Sequence, residues 1–430
     1  MLRIERTAAT ILLALLGFCL VQSPVAAQSR IAPLRPPESP IPLQLFGLHF
    51  HRLASTTPWP ENLQFGDWRL LDAYVHWPNL EPARNKWDFE KLDLYLNLAQ
   101  QHRVTVMLPL VFTPQWASSR PDEPSSFVPG NAAEPKDLAD WRNYVQTVGT
   151  RYKGRIHEYE VWNEPNLKET YTGSIPQLVE MARIAYTTLK GIDPSVTVCS
   201  PPATGEYGVD WLDRYLKAGG KNYADVIGYH FYVNPNAPEL MVPLIQQVEA
   251  VMQRNGIANK PLWNTESGWA IQNTLTVVRP APGKGYNSVV LSEELSSAYV
   301  ARGYILNWAS GVSRFYWYAW DNKVMGLTEE DGKTTKPPAQ AYRELENWLI
   351  GAQMRSCSQD ETTTWTCEIA RDKGYRAWIV WNPNRSLDFQ IPRDWQAREA
   401  RNLAGTLQKL GNDQKVQVGL TPVLIENAVR

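Results

Sequence analysis

From residue 43 to residue 349, short apolar runs alternate with stretches whose apolar positions recur every three or four residues. The runs have the length of buried strands and the recurring stretches have the period of amphipathic helices, so the alternation predicts a parallel β/α fold. Strands are expected at 45–50, 69–75 and 104–111, from 158 up to the corner Asn163-Glu164-Pro165, and at 196–200, 225–232, within 261–269 and at 312–318. Helices are expected at 89–101, where Leu92, Leu96 and Ala99 share a face, and at 138–152, 175–190, 211–218, 238–255, 291–310 and 342–349. Eight strands with intervening helices over about 300 residues have the size and rhythm of a (β/α)8 TIM barrel. An open doubly wound sheet is the alternative, but no Gly-rich phosphate turn follows the first strand.

Beyond 349 the pattern changes to short alternating runs at 364–369, 375–381 and 416–420. These predict a smaller antiparallel β-domain, sandwich-like, over 350–430. Ahead of the barrel, residues 28–42 carry Pro33, Pro36, Pro37, Pro40 and Pro42, which exclude a helix or a central strand and leave an extended lead-in. Residues 1–27 read as a secretory signal: Arg3 and Arg6 precede an apolar run at 8–21 that is too short for a comfortable membrane span. Val25, Ala26 and Ala27 then offer small residues for cleavage after Ala27, which implies a periplasmic or secreted protein. Phe18 before Cys19 suits a lipoprotein poorly, and an uncleaved inner-membrane anchor is the alternative to cleavage.

Charge narrows the choice of partner. With 43 basic and 44 acidic residues the formal net charge is -1, so no field is built for nucleic acid or an anionic membrane. The 18 Trp and 19 Tyr exceed ordinary usage, and aromatic faces suit the apolar faces of sugar rings, although core filling accounts for the larger share. Cys199 lies in an apolar strand, whereas Cys357 and Cys367 either bridge two strands of a hairpin or stand as unrelated thiols. No Cys/His spacing suits zinc and the six His are scattered, so neither a metal nor another cofactor is expected. No pattern in the sequence sets an oligomeric state.

Two carboxylates carry the candidate chemistry. Glu164 ends the fourth strand between an amide and a proline, and Glu266 ends the seventh. On a parallel barrel both carboxyl ends open onto the same mouth, where a pair of carboxylates can perform acid/base and nucleophilic work on a glycosidic bond. Glu158 and Glu160 fall on the Glu164 side of a regular strand, so they lie deeper in the barrel, or the strand twists or bulges before its end. Arg69 and Asp72 read as a buried structural pair near the second strand.

Trp162-Asn163-Glu164-Pro165, His230 with Tyr232 at the end of strand six, and Thr265-Glu266 at the end of strand seven together resemble the clan A retaining glycoside hydrolases. The likeness is greatest to family 39 and to the PslG-like bacterial exopolysaccharide endoglycosidases related to it. The resemblance implies Glu164 as general acid/base and Glu266 as nucleophile, with carboxyl groups about 5 to 5.5 Å apart. It further implies Asn163 on the sugar 2-hydroxyl, Tyr232 orienting the nucleophile, His230 beside it, and Trp317 as the floor of the catalytic subsite. Trp116, Trp269 and Trp320 either stack on sugar or cap the barrel top, and His49 at the end of strand one is placed to reach a hydroxyl.

The function expected is retaining hydrolysis of a polysaccharide, endo-acting on an extracellular or biofilm-type glycan. An exo-acting β-xylosidase-like hydrolase is the alternative within the enzyme class. A catalytically silent carbohydrate-binding protein is the alternative outside it, and the presence of both carboxylates argues against it.

Overall fold

The computed structural model describes residues 31–274, 278–280 and 289–427. The expected signal segment lies outside the described residues. The principal sheet is parallel, with spatial order Thr197–Cys199, Glu158–Val161, Thr105–Leu110, Asp67–Arg69, Phe46–Leu48, Val312–Trp317, Leu262–Ser267, Ile227–His230 and the short Ala203–Thr204. A parallel bridge between Cys199 and Val226 joins the fifth strand to the residue leading into the sixth, and the Ser200 N–H donates to the Val226 carbonyl at 2.9 Å. The sheet therefore closes on itself as the expected barrel, and Ala203–Thr204 extends it beside the sixth strand. Helices Glu90–His102, Leu138–Arg151, Ile175–Ile192, Gly208–Lys217, Met241–Arg254, Glu293–Ala309 and Pro337–Leu349 surround it. None of the described helices is long and apolar enough to cross a membrane.

One strand is displaced from its expected place. The second spans Asp67–Arg69, and the apolar stretch after it turns through bends in which Asp72 and Tyr74 have φ of 59° and 58°. Leu70, Leu71, Ala73 and Val75 are buried there. Burial alone does not separate a strand from a packed turn, and the charged Asp67 and Arg69 hide the true strand because their side chains point into the barrel.

The barrel interior is layered. At its lower end Met107, Cys199, Val226, Trp263 and Tyr316 pack together. Gly47 permits this, because a Cβ there would sit 2.5 Å from a Tyr316 ring carbon. Arg314 pairs with Asp67 and, at 2.9 Å, with Glu158, whose other oxygen accepts from the Tyr316 hydroxyl at 3.3 Å. Burial pushes Glu158 up to about 8. Glu158 is thus a deep structural carboxyl, one layer below Glu160.

The β-domain is a six-stranded antiparallel sheet, Gln353–Gln359, Trp365–Ala370, Arg376–Trp381, Val423–Glu426, Glu399–Arg401 and Leu407–Lys409 in spatial order, covered by a ribbon of Leu387–Gln390 with Lys415–Val418. Alternation along Arg376–Trp381 explains the layering: Trp378 and Val380 pack under the ribbon, while Ala377, Ile379 and Trp381 join the core shared with the barrel. Cys357 and Cys367 stand opposite each other on the first hairpin and are joined by a disulfide. The proline-rich lead-in pairs onto the outer strand through Leu34 N–H to the Cys357 carbonyl at 2.9 Å, covering an edge that would otherwise be open.

Barrel and β-domain are joined by a buried polar contact. Glu239 accepts from Arg302 Nη2 at 2.6 Å and from the Trp381 indole N–H at 2.8 Å, and Arg302 is 1% exposed. Glu239→Ala leaves that guanidinium buried without its carboxylate, which costs about 3 kcal/mol or more. Chemical denaturation of the variant should show a loss of that size, and a loss below about 1 kcal/mol would contradict the assigned role.

Candidate active site

Strand four delivers Glu164 through a strained corner. Trp162 and Glu164 adopt φ of 64° and 44°, in the left-handed region that side-chain-bearing residues seldom occupy. The fully buried Trp162 holds the corner by donating to the Thr170 carbonyl at 2.9 Å, and the Thr170 hydroxyl donates to the Glu164 carbonyl at 2.6 Å. Strand seven aims Glu266 by a different device. Between its pairings Asn264 with Phe315 and Ser267 with Trp317, it has one residue more than strand eight, so the register bulges at Thr265 and Glu266.

These two devices bring the carboxylates together. Single oxygens of Glu164 and Glu266 and a ring nitrogen of His230 all lie within 4.8 Å of one another. Glu164 Oε1 is 2.9 Å from His230 Nδ1. Glu266 Oε1 accepts from the Tyr232 hydroxyl at 3.0 Å, and its Oε2 accepts from Arg69 Nη1 at 2.8 Å. Arg69 also donates through Nε to Glu160 Oε2 at 2.7 Å and through Nη2 to Asn163 Oδ1 at 2.8 Å. With Oδ1 so engaged, the Asn163 amide has its Nδ2 to offer a ligand.

Arg69 does not pair with Asp72, contrary to the sequence expectation. It is fully buried beneath both carboxylates, while Asp72 sits at the rim and accepts from the Tyr318 hydroxyl at 2.6 Å. The two-residue spacing of Asp67 with Arg69 on the second strand and of Glu158 with Glu160 on the fourth, which flank the third strand on either side, was the available signal, since charges at that spacing on barrel strands point inward together. Glu160, fully buried, is the counter-ion of Arg69 and lies below Glu164 and Glu266.

Burial sets the proton affinities. Desolvation raises Glu164 to about 7, against the opposing effects of the Thr204 hydroxyl and Arg69. Desolvation also raises Glu266 to about 7, with the Glu164 charge adding to it and His230 and Arg69 opposing. The Arg69 and Tyr232 hydrogen bonds favour the charged form of Glu266. Burial holds His230 down at about 4, so its ring is neutral, and burial keeps the Tyr232 phenol protonated as a donor. Burial works against the Arg69 charge, but Glu160 and Glu266 more than offset it and keep the guanidinium charged. Glu164, His230 and Glu266 are close enough to share a cation, yet Arg69 already supplies the positive charge that such an ion would bring.

The remaining candidates are distributed differently. His49 is fully buried, and its Nε2 lies 3.2 Å from the Thr265 carbonyl, so it braces the residue before Glu266 instead of facing the mouth. Trp317 and Trp269 are both fully buried and stack with centroids 5.8 Å apart, and the Trp269 indole donates to the Asn236 carbonyl. Trp116 donates to the Glu81 carbonyl beneath the Arg84 guanidinium. Trp320 borders a separate surface cavity with Trp59. A cavity of about 740 Å³ opens from Glu164, Glu266 and Tyr232 toward Thr204–Tyr207 on one side and Leu240–Gln247 on the other. That volume is in the range of sites that hold small ligands.

A carboxyl with a raised folded pKa binds its proton more tightly in the folded than in the unfolded chain. Its contribution to stability is therefore present at low pH and lost as pH rises from about 4.5 to about 7. Glu164→Gln removes this penalty and should gain about 3 kcal/mol over the parent at pH 8 and nothing at pH 4. Thermal unfolding at the two pH values checks it, and an equal shift at both would contradict burial as the cause.

Residues 67–278 match the sequence family Glycosyl hydrolases family 39. Over 191 residues, 38% of this chain and 38% of the relative, the sequence is 26% identical to a beta-xylosidase of Geobacillus stearothermophilus. It is 23% identical over 180 residues to a beta-xylosidase of Caldicellulosiruptor saccharolyticus, covering 40% of this chain and 36% of that protein. The matches thus span less than two-fifths of either relative. In structure the chain is similar to a family 39 glycoside hydrolase from Bacteroides cellulosilyticus WH2, with a TM-score of 0.71 and 18% identity over 90% of this chain and 81% of that one. A GH39 beta-xylosidase from Caulobacter crescentus gives a TM-score of 0.63 and 18% identity over 91% and 98%. In sequence over residues 67–278 and in fold over nine-tenths of its length, the chain resembles the clan A glycoside hydrolases of family 39.

Proposed function

We propose that the chain is a retaining glycoside hydrolase in which Glu266 is the nucleophile and Glu164 the general acid/base. The observation that supports it is the approach of the two carboxylates to within 4.8 Å, each held by different partners. So close an approach suits direct attack on the sugar, as in retaining enzymes, whose carboxyl groups stand about 5 to 5.5 Å apart.

On this reading a Glu266 oxygen attacks the anomeric carbon as the glycosidic C–O bond breaks, and the Glu164 proton passes to the leaving oxygen. Glu164, now a carboxylate, takes a proton from water, which attacks the same carbon and frees Glu266. Arg69 and Tyr232 keep Glu266 ionised and aimed, and the neutral His230 holds Glu164 in place. Asn163 offers its Nδ2 to the sugar 2-hydroxyl, a contact that strengthens as positive charge develops at the ring.

The substrate we propose is a β-linked polysaccharide outside the cytoplasm, of extracellular or biofilm type, cleaved internally. The signal-like residues 1–27 support the location, and the cavity that continues past Glu164 supports internal cleavage. An exo-acting β-xylosidase-like reaction is the second reading, favoured by the activity named for both curated relatives. Mass analysis of products from a polysaccharide panel separates them: a ladder of oligosaccharides supports internal cleavage, and release of single sugars alone supports the exo reading.

Glu266→Gln should lower kcat by about four orders of magnitude or more. Glu164→Ala should regain part of its activity with azide on an activated aryl β-glycoside and yield the β-glycosyl azide. An α-configured first product from the unaltered enzyme acting on a β-glycoside would exclude the retaining mechanism.

A further inference from the structure

The cavity continues beyond Glu164 to an aromatic ring that the proposed chemistry does not use. Tyr207 borders it and is 92% exposed, the most open of the large apolar side chains among the described residues. The segment carrying Leu240, itself 37% exposed, with Pro243 and Leu244, lines the same cavity. A single exposed aromatic is ordinary on a protein surface. This one differs because its backbone is tied to the catalytic loop.

The tie is a reciprocal pair of hydrogen bonds. Thr204 N–H donates to Asn166 Oδ1 at 2.9 Å, and Asn166 Nδ2 donates to the Thr204 carbonyl at 3.1 Å, two residues beyond Glu164 in the same turn. Gly205 then turns with φ of 64°, its carbonyl held by the Tyr229 hydroxyl at 2.6 Å, and sends Glu206 and Tyr207 out along the rim. The backbone that carries Tyr207 is therefore anchored to the turn that carries Glu164 before any ligand arrives, which reduces the cost of ordering that segment on binding.

Charge on this side is one-signed. Glu164, Glu206 and Glu266 line the cavity, and among the described residues no lysine or arginine does. The remaining polar lining includes the amides Asn236 and Gln247, which hydrogen-bond hydroxyl groups without selecting a charge. A uronate or sulfate placed here would meet Glu206 with no lining cation to offset the repulsion.

We propose that Tyr207 is the stacking platform for the sugar on the leaving-group side of the cleaved bond, and that this sugar is uncharged. The inference rests on Glu164 as the acid, because the acid must touch the leaving oxygen and so defines which flank receives the departing sugar. An aromatic ring under a pyranose offers apolar contact to its C–H face while the amides take its hydroxyls.

The test compares two kinds of substrate on the full chain. Neutral β-linked oligosaccharides reach across the leaving side, whereas β-glycosyl fluorides of the same sugars have a leaving group that needs neither a proton donor nor a platform. For Tyr207→Ala, the ratio of oligosaccharide to fluoride kcat/KM should fall about tenfold, and Tyr207→Trp should restore it. Oligosaccharides with a uronate on the leaving side should be cleaved more slowly than their neutral counterparts, and Glu206→Lys should narrow that gap. An unchanged ratio in Tyr207→Ala overturns the platform. Uronate-bearing substrates cleaved as fast as neutral ones overturn the charge selection. If the unaltered protein cleaves neither oligosaccharides nor fluorides, the two-carboxylate reading itself fails, a result distinct from either of the others.

Discussion

The guanidinium of Arg69, buried without exposure under the barrel mouth, is the interaction on which the rest of the site depends. It holds the Glu160 carboxylate below, the Glu266 carboxylate above and the Asn163 amide beside it. Two buried carboxylates with one buried cation would be costly if any member were missing, since an unpaired charge in such surroundings carries a large desolvation penalty. The geometry therefore couples strand two to strands four and seven at one point. It also polarises the pair above: one carboxylate shares a cation and a phenol, and the other a neutral imidazole and the Thr204 hydroxyl.

That asymmetry is modest in proton affinity and clear in partners. Burial raises both Glu164 and Glu266 to about 7. What distinguishes the two environments is hydrogen bonding to the charged form and not a difference in burial. Backbone devices do the aiming. A left-handed corner fixed by Trp162 and Thr170 presents Glu164, and a bulge at Thr265 presents Glu266. Each places strain or irregularity where a side chain must leave its strand at a set angle.

Much of this was legible in the sequence, because apolar runs and helical periods report burial directly. The barrel order, the β-domain and the two carboxylates at strand ends all follow from such patterns together with the motifs around them. The second strand did not, since its inward charges broke the apolar run and its buried turn imitated one. Arg69 escaped for the same reason: sequence spacing links it to Asp72, whereas closure of the barrel brings its side chain against Glu160 of the fourth strand and Glu266 of the seventh. Tyr207 lies outside any periodic element. Its place at the rim comes from the Asn166 and Thr204 contacts, which join segments far apart in the chain.

Covalent trapping tests the account most directly. A 2-deoxy-2-fluoro glycoside with an activated leaving group, built on the sugar that the enzyme turns over, slows both steps but releases its leaving group fast enough to accumulate the intermediate. The account predicts that peptide mapping by mass spectrometry finds the fluorosugar on Glu266, and that Glu266→Gln takes up none. A label on another residue, or steady turnover of the compound with no labelled peptide, would contradict it.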